Sequence, residues 1–362
     1  MNIFKKLFSR KKIDIFPEQL NTEGYLPSTA DTLTAIKQLS EAVKDNPDSI
    51  ELYLALGNLI RAQSEFERAI LIRQSIIARP NISPVLKARA WYELGIDYKR
   101  AGLIDRAVQA LQEARKIAGD NSNILEALAK IYAQSHDFKQ AVYYYHKLNH
   151  YKAEAHYLVK WSQTLDLPQK IKLIKKALNI YPKSPEAWLE LLLTNWQTNN
   201  PKEFKNNFHT AIYSAPKHKD FIILEGLYEA LKHKTDEPQA LQDFILIMEE
   251  VLANKPTVLN NYYNALFLIL IKEQEQARTW LEKSLILNNN FWPARLILLQ
   301  LDVPTQQLSD NFKAHLEFFI QHFLQAKFFI CEQCGLKRKS LFFLCPRCSA
   351  WHSIAFYTSL HE

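Results

Sequence analysis

Apolar and small residues recur through most of the chain at spacings of three and four, the period of a helix that buries one face. One stretch reads Trp91, Leu94, Gly95 and Tyr98, then Ala107, Leu111 and Ala114. Thirty-four residues after Trp91 the register returns at Leu125, Leu128, Ala129, Tyr132, Ala141, Tyr145 and Leu148. Upstream, Tyr53, Leu56, Gly57 and Ala69 repeat it, with Ile60 in the tyrosine place and about four residues inserted before Trp91. The pattern predicts antiparallel helix pairs that can bury their apolar faces only by stacking on their neighbours.

The period and the order aromatic, Leu, Gly, Tyr, then Ala match the tetratricopeptide repeat. Gly or Ala stands where the two helices of a unit approach closely, and a proline near the end of the second helix stops it. Downstream the pattern decays but its punctuation persists, with Ala177 and Pro182, Ala211 and Pro216, and Val251 and Pro256 at one common offset. Trp188 opens a unit, and Gly226 takes the small-residue place of the next, which carries an insertion around residues 234–238. Ala277, Leu281 and Ser284 mark a further second helix. About seven units are expected between residues 49 and 290, the fourth and sixth irregular. The fold class is all-α, a right-handed tetratricopeptide superhelix over residues 31–325, between a basic segment (1–30) and a small C-terminal β domain (326–362).

Composition narrows this further. Only 7 of 362 residues are Gly, where about 7% is usual, and folds that lean on glycine are excluded. The aromatic stripes belong to core packing rather than to stacked bases or a cofactor. The formal charge of +7 owes much to residues 1–12, which hold Lys5, Lys6, Arg10, Lys11 and Lys12 and no acid. Ile3, Phe4, Leu7 and Phe8 fit one helical face there, so this segment reads either as a membrane-surface helix or as a frayed basic terminus. No secretory signal is visible, and the longest aliphatic run, 265–271, is far below the ~20 residues that cross a bilayer.

First-helix positions that do not build the core face the concave side. They include Asn58, Arg61, Tyr92, Lys99, Arg100 and Lys130, a basic groove suited to an acidic or carboxylate-terminated peptide. An ordinary solvated face is the competing reading.

All four cysteines lie in the stretch FFICEQCGLKRKSLFFLCPRCSAWHSI. Two C-x-x-C pairs, Cys331/Cys334 and Cys345/Cys348, turn four thiolates toward one tetrahedral ion, zinc or iron. Gly335 follows the first pair, where the turn wants positive φ, and Pro346 stiffens the second. Phe328, Phe329, Leu341, Phe342, Phe343, Trp351 and Ile354 offer a small apolar core, too small to fold without the metal. His352 follows a complete ligand set and is expected on the surface. Lys337, Arg338, Lys339 and Arg347 read as a solvated face, with no nucleic acid expected. No H-E-x-x-H, phosphate-binding loop or nucleophile elbow is present, and His209, His218 and His233 fall at helix ends or turns, so catalysis is not expected.

Repeats ending in C-x-x-C-G…L-x-x-x-C-P-x-C-x-x-W resemble the lipopolysaccharide assembly protein B family of Gram-negative bacteria. The match is carried by Cys331, Cys334, Gly335, Leu341, Cys345, Pro346, Cys348 and Trp351, followed by Ile354. The resemblance implies a rubredoxin-like ribbon that packs back on the repeats and whose cysteines are needed. It also implies an adaptor at the inner membrane for a membrane-bound AAA+ metalloprotease, promoting turnover of the deacetylase that commits carbon to lipid A. That family begins with a transmembrane helix, and none can be drawn here. The expectation is a cytoplasmic protein whose residues 1–12 make peripheral contact with the inner membrane, its oligomeric state left open. A rubredoxin-type electron carrier, a general cytosolic repeat scaffold and a nucleic-acid-binding ribbon are the competing classes. The first needs redox-active iron, and the last needs steep salt dependence.

Overall fold

The computed structural model describes residues 29–216, 218–234, 238–324 and 329–357. Residues 1–12, Phe328 and most of the expected insertion lie outside the described residues. Helix α1 (Thr29–Asp45) precedes seven consecutive pairs. These are α2 (Ile50–Ala62) with α3 (Phe66–Ile77), α4 (Pro84–Arg100) with α5 (Ile104–Ala118), and α6 (Ser122–Gln134) with α7 (Phe138–Lys147). Next come α8 (Tyr151–Ser162) with α9 (Leu167–Ile180), and α10 (Pro185–Gln197) with α11 (Pro201–Ser214). The last two are α12 (Phe221–Leu231) with α13 (Pro238–Ala253), and α14 (Val258–Leu270) with α15 (Gln274–Leu287). Helices α16 (Trp292–Asp302) and α17 (Asp310–Leu324) follow, then strands β1 (Phe329–Cys331), β2 (Lys337–Arg338) and β3 (Ile354–Phe356). The chain forms two compact units that divide between His150 and Tyr151.

Local chemistry explains the boundaries. Several first helices begin at an oxygen-bearing cap. The Ser83 hydroxyl accepts from the Leu86 amide, Ser184 from Ala187, and Thr257 from Asn260, and Pro84 and Pro185 start their helices where no N–H partner is needed. The turn inside a pair has one recurring form. A left-handed residue ends the first helix (Ser64, Gly102, His136, Asn199 or Lys272), and the next amide reaches back to the carbonyl five residues earlier. Leu103 to Tyr98 and Asp137 to Tyr132, both 2.9 Å, are two instances. This bond closes a Schellman-type turn, which glycine fits best, yet only Gly102 supplies it. The α8–α9 turn lacks the bond, and this fourth pair is one of the two expected to be irregular.

The small residues work as close-approach points. A Cβ on Gly95 would stand 2.7 Å from Leu111 Cγ, inside its own pair. Gly226 does something else, because its Cβ would meet Leu189 Cδ2 at 2.3 Å, on α10. It therefore seats one first helix on another, while α13 packs on α11 and α14. Ala177, Ala211 and Ala277 are fully buried on second helices, as their spacing predicts.

Candidate metal centre and partner groove

The ribbon is a three-stranded antiparallel sheet in the order β2-β1-β3, with Phe329 opposite both Arg338 and Phe356. Its two knuckles are built alike. The amides of Gly335 and Ser349 donate to the carbonyls of Cys331 and Cys345, and the amides of those cysteines donate to Leu336 and Ala350, all at 2.9 Å. Gly335 at φ 69° and Ser349 at φ 58° occupy equivalent left-handed positions, so the second knuckle carries in serine the conformation that glycine gives the first.

All four sulfurs lie within 4.8 Å of one another, with Cys331–Cys348 and Cys334–Cys345 at 3.6 Å. A tetrahedral ion about 2.3 Å from each sulfur would space them about 3.8 Å apart, so the set fits a single ion. Burial raises the Cys331 thiol, but the Ser353 hydroxyl and the amides of Cys334 and Gln333 outweigh it and bring it to about 6. The thiolate is the form that binds metal. Four thiolates complete a tetrahedral shell and leave no position for substrate.

The ribbon sits on the second unit's first helices. Phe329 stacks on Phe221 with ring centroids 6.1 Å apart, and Phe356 packs against Phe221, Tyr262 and Phe291. Trp351 and Phe343 meet His156 of α8. Lys219 donates to the Ile354 carbonyl and pairs with Glu332, both at 2.7 Å. The apolar residues expected to form a private core are thus shared with the repeats: Phe329, Phe342 and Ile354 are buried, and Leu341, Phe343 and Trp351 half-buried.

His352 overturns its expected surface placement. Its Nε2 lies 2.9 Å from both oxygens of Glu186 at the start of α10, and Tyr181 stacks over its ring at 5.6 Å. Glu186 also accepts from His156 Nδ1 at 3.1 Å and from the Ser184 hydroxyl at 3.1 Å. Burial raises the Glu186 carboxyl, yet the bonds from His156 and His352 prevail and hold it at about 2. Set against the ordinary value of 4.5, the shift is worth about 3 kcal/mol. That stabilisation is full above pH 4.5 and is lost as pH falls through 2. Glu186→Gln is therefore expected to destabilise the metal-loaded protein by about this amount at pH 7. Urea unfolding at pH 7, where the cysteines keep their ion, measures it, and a loss under about 1 kcal/mol would refute the clamp.

Four of the six expected groove residues come together. Tyr92, Lys99, Arg100 and Lys130 line a groove of about 590 Å³ with Ile96, Asn123, Glu126, Ala127 and Gln134, between α4 and α6. Burial, with Glu93 beside it, pushes the Tyr92 phenol up to about 12, so it stays neutral. Asn58 and Arg61 correct the expectation. Arg61 pairs with Glu93 at 2.7 Å and Asp97 at 3.0 Å, and Asn58 Oδ1 accepts from Arg61 and from Arg73. Both serve an internal ion network, because carboxylates of the next repeat face them. Lys337, Arg338, Lys339 and Arg347 are exposed, as are His209, His218 and His233.

No protein-family model matches the chain. A lipopolysaccharide assembly protein B from Haemophilus influenzae is 24% identical over 336 residues, 88% of this chain and 82% of that protein. The chain resembles lipopolysaccharide assembly protein B over most of its length. The protein of that name from Escherichia coli is 29% identical over 108 residues, 30% of this chain and 28% of its own length. Among solved structures, a tetratricopeptide repeat protein from Parabacteroides merdae aligns with a TM-score of 0.38 and 18% identity, covering 75% of this chain and 99% of that one. Among the described residues, no helix is long and apolar enough to cross a membrane.

Proposed function

We propose that the chain is a non-enzymatic adaptor in the control of lipopolysaccharide assembly. It binds protein partners through first-helix surfaces of its first unit, and one zinc or iron ion at Cys331, Cys334, Cys345 and Cys348 holds the ribbon in place. One observation carries this reading: ribbon side chains reach Lys219 and residues at α8, α10, α12, α14 and the start of α16, which makes the metal module a brace for the repeats. The likeness to lipopolysaccharide assembly protein B supports the pathway. The finer proposal is that the adaptor promotes degradation of the committed lipid A deacetylase by a membrane AAA+ protease. It would work at the cytoplasmic face of the inner membrane, with residues 1–12 as the basic contact.

The test is the half-life of that deacetylase in cells lacking this gene. It should lengthen several-fold, return with the full chain, and not return with Cys345→Ser. An unchanged half-life would sink the reading. Reversible one-electron cycling of the purified metal protein would favour an electron carrier instead.

A further inference from the structure

We infer that the groove between α4 and α6 binds an extended acidic segment of a protein partner, with Lys99 and Arg100 meeting its carboxylates and Asn123 and Gln134 its main chain. The inference rests on the adaptor reading and names what the partner must present.

The charges in the groove are out of balance. Lys99, Arg100 and Lys130 face one carboxylate, Glu126, which is already tied to Lys130 at 2.5 Å. Lys99 and Arg100 enter no ion pair among the described residues, and Lys99 is half-buried. Burial, then the like charges of Lys130 and Arg100, pulls the Lys99 ammonium down. A cation partly removed from water and pressed by two others is stabilised by an anion that enters the groove.

The remaining wall selects the kind of anion. The side-chain amides of Asn123 and Gln134 make no hydrogen bond among the described residues, and each offers a donor and an acceptor. A peptide main chain presents both, whereas a phosphate ester only accepts. Ile96 and Ala127 add apolar surface for a side chain between the acidic ones. Glu126 opposes any anion, but an alternating segment can set an uncharged residue beside it, which a polyphosphate backbone or an anionic bilayer cannot. In the second unit, the first helices are already occupied by the ribbon.

Fluorescence anisotropy with the full metal-loaded chain tests this, using a fluorescein-labelled octapeptide of alternating glutamate and leucine. Binding in the micromolar range is expected, at least tenfold weaker for the same peptide with lysine in place of glutamate. The double variant Lys99→Glu, Arg100→Glu should lose at least tenfold. Glu126→Gln should tighten binding two- to threefold, a gain that no folding defect can mimic. No binding, equal binding of the lysine peptide, indifference to the double variant or no gain with Glu126→Gln would each overturn the inference. So would capture of phosphatidylglycerol vesicles through Lys99 and Arg100 in place of the peptide. If the double variant loses the peptide but restores deacetylase turnover, the groove is not the partner site and the adaptor reading stands. If peptide binding holds while gene loss leaves turnover unchanged, the adaptor reading fails and the groove assignment stands.

Discussion

Cys345→Ser, or removal of the metal by a strong chelator, is expected to unfold the two cysteine knuckles and loosen the ribbon's seat on the helices beneath it. The strands hold 3, 2 and 3 residues, too few to persist on hydrogen bonds alone. A structural zinc ion contributes roughly 10–16 kcal/mol in isolated small domains. Here the aromatic contacts of Phe329 and Phe356 with the helices offset part of that loss, so a loosened attachment is expected rather than release of the whole segment. The sensitive probes are the knuckle amides of Cys331, Gly335, Cys345 and Ser349, each bonded at 2.9 Å. Their hydrogen exchange should quicken at least about a hundredfold on metal loss, as expected when local structure opens. Amides of α4 and α5 should not respond, and Lys339→Ala, at an exposed position, should leave the pattern intact. Unchanged knuckle exchange in metal-free protein would mean the ribbon stands without its ion.

Asp97→Ala should cost the first unit about 3–5 kcal/mol, the usual penalty for leaving a buried charge without its partner. Asp97 and Arg73 are both fully buried and pair at 3.3 Å, and Asp97 also takes Arg61 at 3.0 Å. Arg61 keeps Glu93 and some solvent, but Arg73 has nowhere to turn. A Cβ on Gly57 would stand 2.6 Å from its guanidinium, and it would keep only the Leu54 carbonyl and Asn58. Asp97→Asn, which keeps the shape, should cost less. Replacing the pair together, Asp97→Leu with Arg73→Met, should recover most of the loss, because an apolar pair of similar volume removes the stranded charge. Urea midpoints of the three variants decide it, and a loss under about 1 kcal/mol for Asp97→Ala would show that water reaches Arg73.

What could be read from the sequence follows how local each interaction is. The cysteine knuckles are legible because all four cysteines and their turn residues fall within one short stretch. The repeat is legible because like packing through the first three pairs leaves a period, which fades where Gly226 seats on α10 instead of on its own partner helix. The left-handed turns are hidden, since their stabilising bond is purely backbone and Ser64, His136, Asn199 and Lys272 carry no mark of it. Glu186 and His352 lie 166 residues apart, and nothing near either position announces the pair. Arg61 departs from the groove expectation for a subtler reason. Spacing identifies a residue off its own core face, but not whether carboxylates wait there. The signal was available at about one repeat's distance, because Glu93 and Asp97 lie 32 and 36 residues further on.

The seating of the ribbon also bears on how quickly the second unit can form. Helix pairs meet neighbours close in sequence, and chains rich in such contacts fold fast. Lys219 waits for partners 113 and 135 residues away, and Glu186 for one at 166. Closing loops of that size delays the encounter, so two tempos are expected: rapid zippering of helix pairs, then a slow capture of the ribbon. During the interval, the aromatic side chains of Phe221, Tyr262 and Phe291 lack their ribbon partners, and that half-assembled species is the one from which aggregation should begin.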